Sequence, residues 1–149
     1  MIDTENILTE ALIEATETMA FLTIIPLEEE FAIPEKAVLA EMSFKGPKSG
    51  LIQILAGIDF CKILAENIGA LSNADDKACY DAIGELVNVV CGLVLPFMAS
   101  LRTDVFEVTV PSIQTDNNLP TWDEFIQRQN CFVSNIEGYA VASRLIVNN

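Results

Sequence analysis

The chain contains no histidine. That removes Ser-His and Cys-His nucleophile pairs, the histidine general base and the HExxH zinc site. Its four cysteines, Cys61, Cys79, Cys91 and Cys131, show no CxxC spacing. A redox dithiol or a structural zinc site therefore has no framework, and buried free thiols are expected. The seven glycines form neither GxxxxGKS/T nor GxGxxG, so no nucleotide cradle is visible. Basic residues are scarce: 8 Lys and Arg against 22 Asp and Glu leave a net charge of −14. Nucleic acid and anionic membrane surfaces need cations, so neither is an expected partner. A long apolar run is missing too. The longest, Leu86 to Leu101, is broken by Gly92, Pro96 and Ser100 and is shorter than the ~20 residues of a bilayer span. The opening MIDTENILTE is acidic where a signal peptide is basic and then apolar, which makes a cytoplasmic protein the expectation.

Apolar residues, by contrast, are plentiful. They make up 51% of 149 residues, enough for the core of one domain spanning 1–149. Over residues 4–22, Leu8, Leu12, Ala15, Met19 and Leu22 fall on one helical stripe, with Glu10, Glu14 and Glu17 mostly off it. TIIPLEEEFAIP reads as irregular. Val38, Ala40, Met42 and Phe44 then alternate with Leu39, Glu41 and Ser43, KGPKSG turns, and LIQILAGI returns, so residues 36–58 read as a hairpin. Asp59 is placed to cap a short helix with Phe60, Ile63, Leu64 and Ile68 on its apolar face, stopped by Gly69. Ser72 or Asn73 opens a longer helix. Its expected buried stripe is Cys79, Ile83, Leu86, Val90, Leu93 and Phe97, and Pro96 should kink or end its last turn.

VFEVTVP alternates as a strand closed by Pro111. The segment from Ser112 to Asn130 carries a T-x-x-E capping box at Thr121 and Glu124, the mark of a short helix ending near Gln129. Trp122 within it is either a loop anchor on the core or a partner contact. NCFVSNI and YAVASRLIV are two last strands turning at Glu137-Gly138. Each half thus runs helix then strands, with Phe44 six before Gly50 and Phe132 six before Gly138. The expected fold is α+β: duplicated helix-plus-strands units, with two long helices packed on an antiparallel or mixed β-sheet.

The stretch DAIGELVN, residues 81–88, does not fit a helix chosen for stability. Asp81 and Glu85 are four apart and Asn88 is three further on, so all three share one face. Like charges at that spacing cost about 0.2–0.5 kcal/mol, and Gly84 costs about 1 kcal/mol more. Taken alone, such a face is an ordinary solvated surface. Its spacing, D-x-x-x-E-x-x-N with Pro111 after twenty-two further residues, resembles the signature of the CheC/CheX/FliY family of phosphatases. With the helix–strand order, the resemblance covers essentially the whole chain.

The CheC type has two such sites. Here the first helix holds one asparagine, Asn6, with Asp3 before it and Glu29 twenty-three residues after, so that half lacks the pattern. A FliY protein adds a second domain, for which 149 residues leave no room. One site in a short chain is similar to CheX. The resemblance implies a homodimer that hydrolyses the aspartyl phosphate of a CheY-like response regulator, in chemotaxis or another two-component pathway. It implies no cofactor on this chain, since the regulator brings Mg²⁺ and a lysine to the phosphate. Asn88 would hold the attacking water, because a carboxamide both donates and accepts hydrogen bonds without titrating. The family glutamate pairs with the regulator's lysine, a role that falls to Glu85. Gly84 and Gly92 would let the helix approach the partner. Asp81 would cap, orient Glu85 or sit in water, and Pro111 would end a strand beside the motif helix. The alternative is a non-catalytic module that docks on a receiver domain; such a module has no need of the asparagine amide.

Overall fold

The computed structural model describes residues 2–69, 72–115 and 118–148. The chain runs α1 (Thr4–Ala20), β1 (Ile24–Ile25), β2 (Ala37–Lys45), β3 (Ser49–Gly57), α2 (Ile58–Gly69) and α3 (Asp76–Met98). It continues with β4 (Glu107–Val108), β5 (Ser112–Gln114), α4 (Trp122–Ile126), β6 (Cys131–Ile136) and β7 (Tyr139–Asn148). This is the expected α+β arrangement. Period-two alternation sends Val38, Ala40, Met42 and Phe44 of β2 to the same face as Ile52, Ile54 and Ala56 of β3. Val141 and Leu145 of β7 join them, and α1, α2 and α3 cover this face. The opposite face buries Leu39, Leu55 and Ala142 under Phe125, with Trp122 packed at the edge of that cluster. Trp122 therefore anchors the α4 segment to the sheet. The Thr121–Glu124 capping box forms in both directions and sets where α4 starts, although α4 stops at Ile126, short of Gln129.

The sheet order is β1-β6-β7-β3-β2-β4, with every pairing antiparallel and β5 added alongside β2. It reads the same from either end when β1 is exchanged with β4, β6 with β2, and β7 with β3. Two units, α1-β1-β2-β3 and α3-β4-β6-β7, are thus related by a pseudo-twofold between β3 and β7. Each lends its short strand to the other's hairpin: β1 pairs with β6 and β4 with β2. The Phe–Gly spacing is not the mark of this symmetry. Phe44 lies across from Gly50, whereas Phe132 lies across from Ser143. The second hairpin turns at Glu137 (φ 53°) and Gly138 (φ 92°), the two positive φ values that a tight two-residue turn requires.

Several local expectations need correction. Helix α1 stops at Ala20, not residue 22, because Phe21 takes a left-handed φ of 56° and Leu22 N–H folds back to Thr16 O (3.1 Å). Helix α2 starts at Ile58, whose N–H bonds to Lys36 O (2.9 Å), so Asp59 is inside the first turn. Helix α3 is capped by Asp75, which accepts from Ala78 N (2.8 Å), rather than by Ser72 or Asn73. Phe97, expected in the buried stripe, is 55% exposed; around Pro96 the burial passes to Val94 and Met98. VFEVTVP is not a continuous strand. Only Glu107 and Val108 are in register with β2; at Thr109 the backbone N–H still donates to Ser43 O (3.0 Å), but the Ser43 N–H goes to Thr109 Oγ1 (3.0 Å), and regular pairing stops until β5. Val105 and Val110 are more than 80% exposed, so their alternation marks no buried face.

Helix α3 is long and apolar enough, by length and composition alone, to cross a bilayer, but half of its most apolar window is buried inside the fold. Its outer face carries Lys77, Asp81 and Glu85. Cys61, Cys79 and Cys91 are buried free thiols, and Cys131 is half-buried. Burial pushes the Cys61 thiol up to about 12 and the Cys91 thiol up to about 11. The folded chain holds these protons more tightly than the unfolded one. Their contribution is complete below the ordinary thiol value of 9.0 and is lost as pH rises from there towards 11–12. Urea midpoints should therefore fall over that alkaline window. At pH near 8, alkylation followed by mass spectrometry should modify Cys131 first; rapid labelling of all four would contradict the packing. Cys79→Ser should cost about 1–3 kcal/mol, the penalty for an unpaired buried hydroxyl.

Candidate functional site

The N-cap at Asp75 and the buried residues of α3 together phase the helix. Ala82, Ile83, Leu86, Val87, Val90 and Cys91 face inward, which leaves Asp81, Glu85 and Asn88 exposed along the opposite side. After β4 the chain runs back beside this face. Val108, Thr109, Val110, Pro111 and Ile113 form one wall of a cleft of about 620 Å³, and Tyr80, Asp81, Gly84, Glu85 and Asn88 form the other. The cleft brings together five of the six residues singled out from the sequence. Gly92, the sixth, lies one helical turn beyond Asn88 and lines a neighbouring hollow.

The three polar side chains differ in what holds them. Asp81 Oδ2 accepts from Lys77 Nζ (2.9 Å), an i,i+4 pair on the exposed surface. That contact raises the lysine's pKa, first through the hydrogen bond and then through the charge of Asp81. Glu85 and Asn88 have no hydrogen-bond partner among the described residues. One carboxylate and one carboxamide thus stand side by side, three residues apart, with all their hydrogen-bonding capacity unspent. Among the described residues no three His, Cys, Asp or Glu side chains gather as a metal-binding group.

Gly84 has a different role from the one expected. It is buried beneath Pro111 and Ile113 of its own chain, so the close approach it permits is within the molecule. Pro111 does lie beside the motif helix. It does not end a continuous strand, since β4 is over by Val108 and β5 begins directly afterwards at Ser112. Tyr80, Thr109, Val110 and Ile113 were not legible as cleft residues, because nothing in their local spacing points to α3. Lys77 had a legible signal, its place four residues before Asp81 on the same helical face.

The fold is that of the CheC/CheX/FliY proteins. A chemotaxis protein CheX from Desulfovibrio desulfuricans superposes with a TM-score of 0.70 at 16% identity, covering 99% of this chain and 100% of that one. The CheX–CheY–BeF3–Mg²⁺ complex from Borrelia burgdorferi gives 0.68 at 16% identity and covers 100% of both chains. FliY from Thermotoga maritima gives 0.60 at 12% identity, over 97% of this chain and 86% of that one. At such identities these likenesses establish the fold. Family membership comes from sequence: a model of the family described as chemotaxis phosphatase CheX matches residues 38–134, and the chain belongs to that family. No curated protein sequence matches it.

The covered glycine can be tested by stability. A Cβ at Gly84 would lie 3.5 Å from Ile113 Cδ1 and 3.6 Å from Pro111 Cβ, ordinary contact distances. Gly84→Ala should fit and stabilise the protein by up to about 1 kcal/mol through helix propensity. Gly84→Leu must displace Pro111 and Ile113 and should destabilise by about 1–3 kcal/mol. Urea unfolding of both variants measures this. Equal destabilisation by alanine and leucine would mean that the 108–113 wall presses on α3 more closely than described.

Proposed function

We propose that the protein is a cytoplasmic phosphatase for the aspartyl phosphate of a CheY-like response regulator. The observation that carries this reading is the pair Glu85 and Asn88, exposed and unpartnered on one face of α3 in a cleft walled by Pro111. Membership of the CheX family supports it. So does the existence of a CheX–CheY complex among proteins of this fold, in which beryllofluoride and Mg²⁺ are present.

The chemistry needs little from this chain. The regulator supplies the Mg²⁺ that neutralises the phosphoryl oxygens, and an acidic, histidine-free surface has no cation to add at the centre of its cleft. What it adds is a positioned nucleophile. Asn88 accepts one hydrogen bond from a water and donates another, holding its oxygen in line with phosphorus. The new P–O bond forms as the bond to the regulator's aspartate breaks. The aspartate leaves as carboxylate, and the water's protons depart with inorganic phosphate. Glutamine orients water comparably in Ras-type hydrolysis. Glu85 pairs with the regulator's active-site lysine and fixes the register of docking, while Asp81, held by Lys77, supports from the rim. The chain acts as a homodimer with one such surface per protomer.

Two measurements separate an enzyme from a docking module: single-turnover dephosphorylation and equilibrium binding to the beryllofluoride form of the regulator. Asn88→Ala should slow the chemical step on the order of 10²-fold while leaving affinity nearly unchanged. Glu85→Ala should also weaken binding, by about 1–3 kcal/mol for a charge-assisted contact. Asp81→Ala should do less than either, and chelating Mg²⁺ should stop the reaction for every variant. An Asn88→Ala protein that dephosphorylates at the wild-type rate would make the non-catalytic docking module the better account. Binding should saturate at one regulator per chain.

A further inference from the structure

Helix α3 runs on past the cleft to Met98. Past Met98 the chain doubles back, so that Phe106 and then residues 108–113 run along α3. A second hollow of about 520 Å³ lies there, one helical turn beyond Asn88, lined by Gly92, Leu95, Leu101, Arg102, Asp104 and Phe106. Gly92 is four residues beyond Asn88 and shares its helical face. A Cβ there would meet nothing within 4 Å, so the hollow is open beside the helix backbone.

The loop that closes this hollow is held rigidly. Asp104 Oδ2 accepts from both Ser100 N and Leu101 N at 2.7 Å, and Asp104 N donates to Leu101 O at 3.1 Å. A carboxylate that binds two successive backbone N–H groups fixes the turn before any partner arrives, which lowers the ordering cost of docking. The loop holds Leu101 outward at 65% exposure, and Phe97 stands nearby at 55%. Asp104 keeps its charge but commits Oδ2 to the backbone, and the cation at the rim is Arg102. Its guanidinium is exposed and makes no ion pair among the described residues. On a chain of net charge −14 this is an isolated cation.

We infer that this hollow is the second half of the receiver-docking surface. It takes an apolar side chain of the regulator's receiver domain, flanked by a carboxylate that pairs with Arg102. The inference rests on the reading of the Glu85–Asn88 face as a docking site. Two observations select the occupant: the hollow begins one helical turn beyond Asn88 on the same helical face, and its largely apolar lining is edged by a cation that has no ion pair among the described residues. A desolvated apolar anchor next to a charge pair is the usual energetic centre of such an interface.

The test is calorimetric titration of the full chain with a CheY-type receiver domain held in its phosphorylated form by beryllofluoride and Mg²⁺. Leu101→Ser and Arg102→Glu change exposed positions and should fold normally, as circular dichroism will verify. Each should raise Kd by about tenfold or more. Arg102→Lys should recover most of the loss from Arg102→Glu, and the effect of Arg102→Glu should shrink at high salt. Lys62→Glu, which makes the same charge change on exposed α2, should leave Kd within about twofold. Wild-type affinity in both Leu101→Ser and Arg102→Glu overturns this inference alone, provided Asn88→Ala still loses dephosphorylation. A wild-type chain that binds no receiver domain overturns the functional reading and this inference with it. Variants that alter self-association in sedimentation, with receiver affinity untouched, show the hollow to be a contact between copies and overturn it as well.

Discussion

Helix α3 can rotate about its axis only as far as its buried ribbon allows. Ile83, Leu86, Val87, Val90 and Val94 are wholly removed from solvent against α1, α2 and the sheet. Turning the helix by one residue position, about 100°, would expose several of them at about 1.5–3 kcal/mol each. The repulsion between Asp81 and Glu85 is worth about 0.2–0.5 kcal/mol. Burial wins by an order of magnitude, so the acids and the asparagine have no choice of direction. A fixed helix rotation is also what catalysis of the proposed kind requires, because a water held by a loosely seated amide would not stay in line.

The cleft beside α3 comes from where the two halves depart from their pseudo-twofold. Both halves lay a long helix against the sheet and lend a two-residue strand to the opposite hairpin. They differ in the path the chain takes after that strand. In the second half the chain crosses to α3, covers Gly84 with Pro111 and Ile113, and adds β5 to the edge of β2. In the first half the residues after β1 instead bridge towards Tyr139, where Ala32 N–H bonds to Gly138 O at 2.7 Å. Helix α1 also has no Glu-x-x-Asn pair to present. The duplication supplies the scaffold, and the unequal connections supply the site.

Charge is distributed with some order along α3 and the loop that follows it. Lys77 neutralises Asp81 at one end, Glu85 stands unpaired in the middle, and Arg102 stands at the far end. A surface of net charge −14 would repel most acidic partners at long range. A partner whose cationic centre meets Glu85 is attracted only when correctly placed. The arrangement favours register over indiscriminate affinity.

Sequence alone determined what depends on near neighbours in the chain. The 3.6-residue period set the face shared by Asp81, Glu85 and Asn88. Period-two alternation set the β2–β3 hairpin, and the Thr121–Glu124 box set the start of α4. Glu137-Gly138 set the last turn because two positive φ values suit those residues. Tertiary structure decided the rest. VFEVTVP alternates well enough to be a strand, yet Thr109 takes the β2 N–H with its side chain and ends the regular pairing at Val108. Phe97 falls on the apolar stripe, yet around Pro96 it is Val94 and Met98 that face the core, and Phe97 is left exposed. Gly84 looked like an opening towards a partner and is instead the floor under Pro111 and Ile113, residues more than twenty-five positions away in the chain. Which distant segment covers a given residue depends on strand order and loop path. Those are set by the burial of the whole core, and no local spacing encodes them.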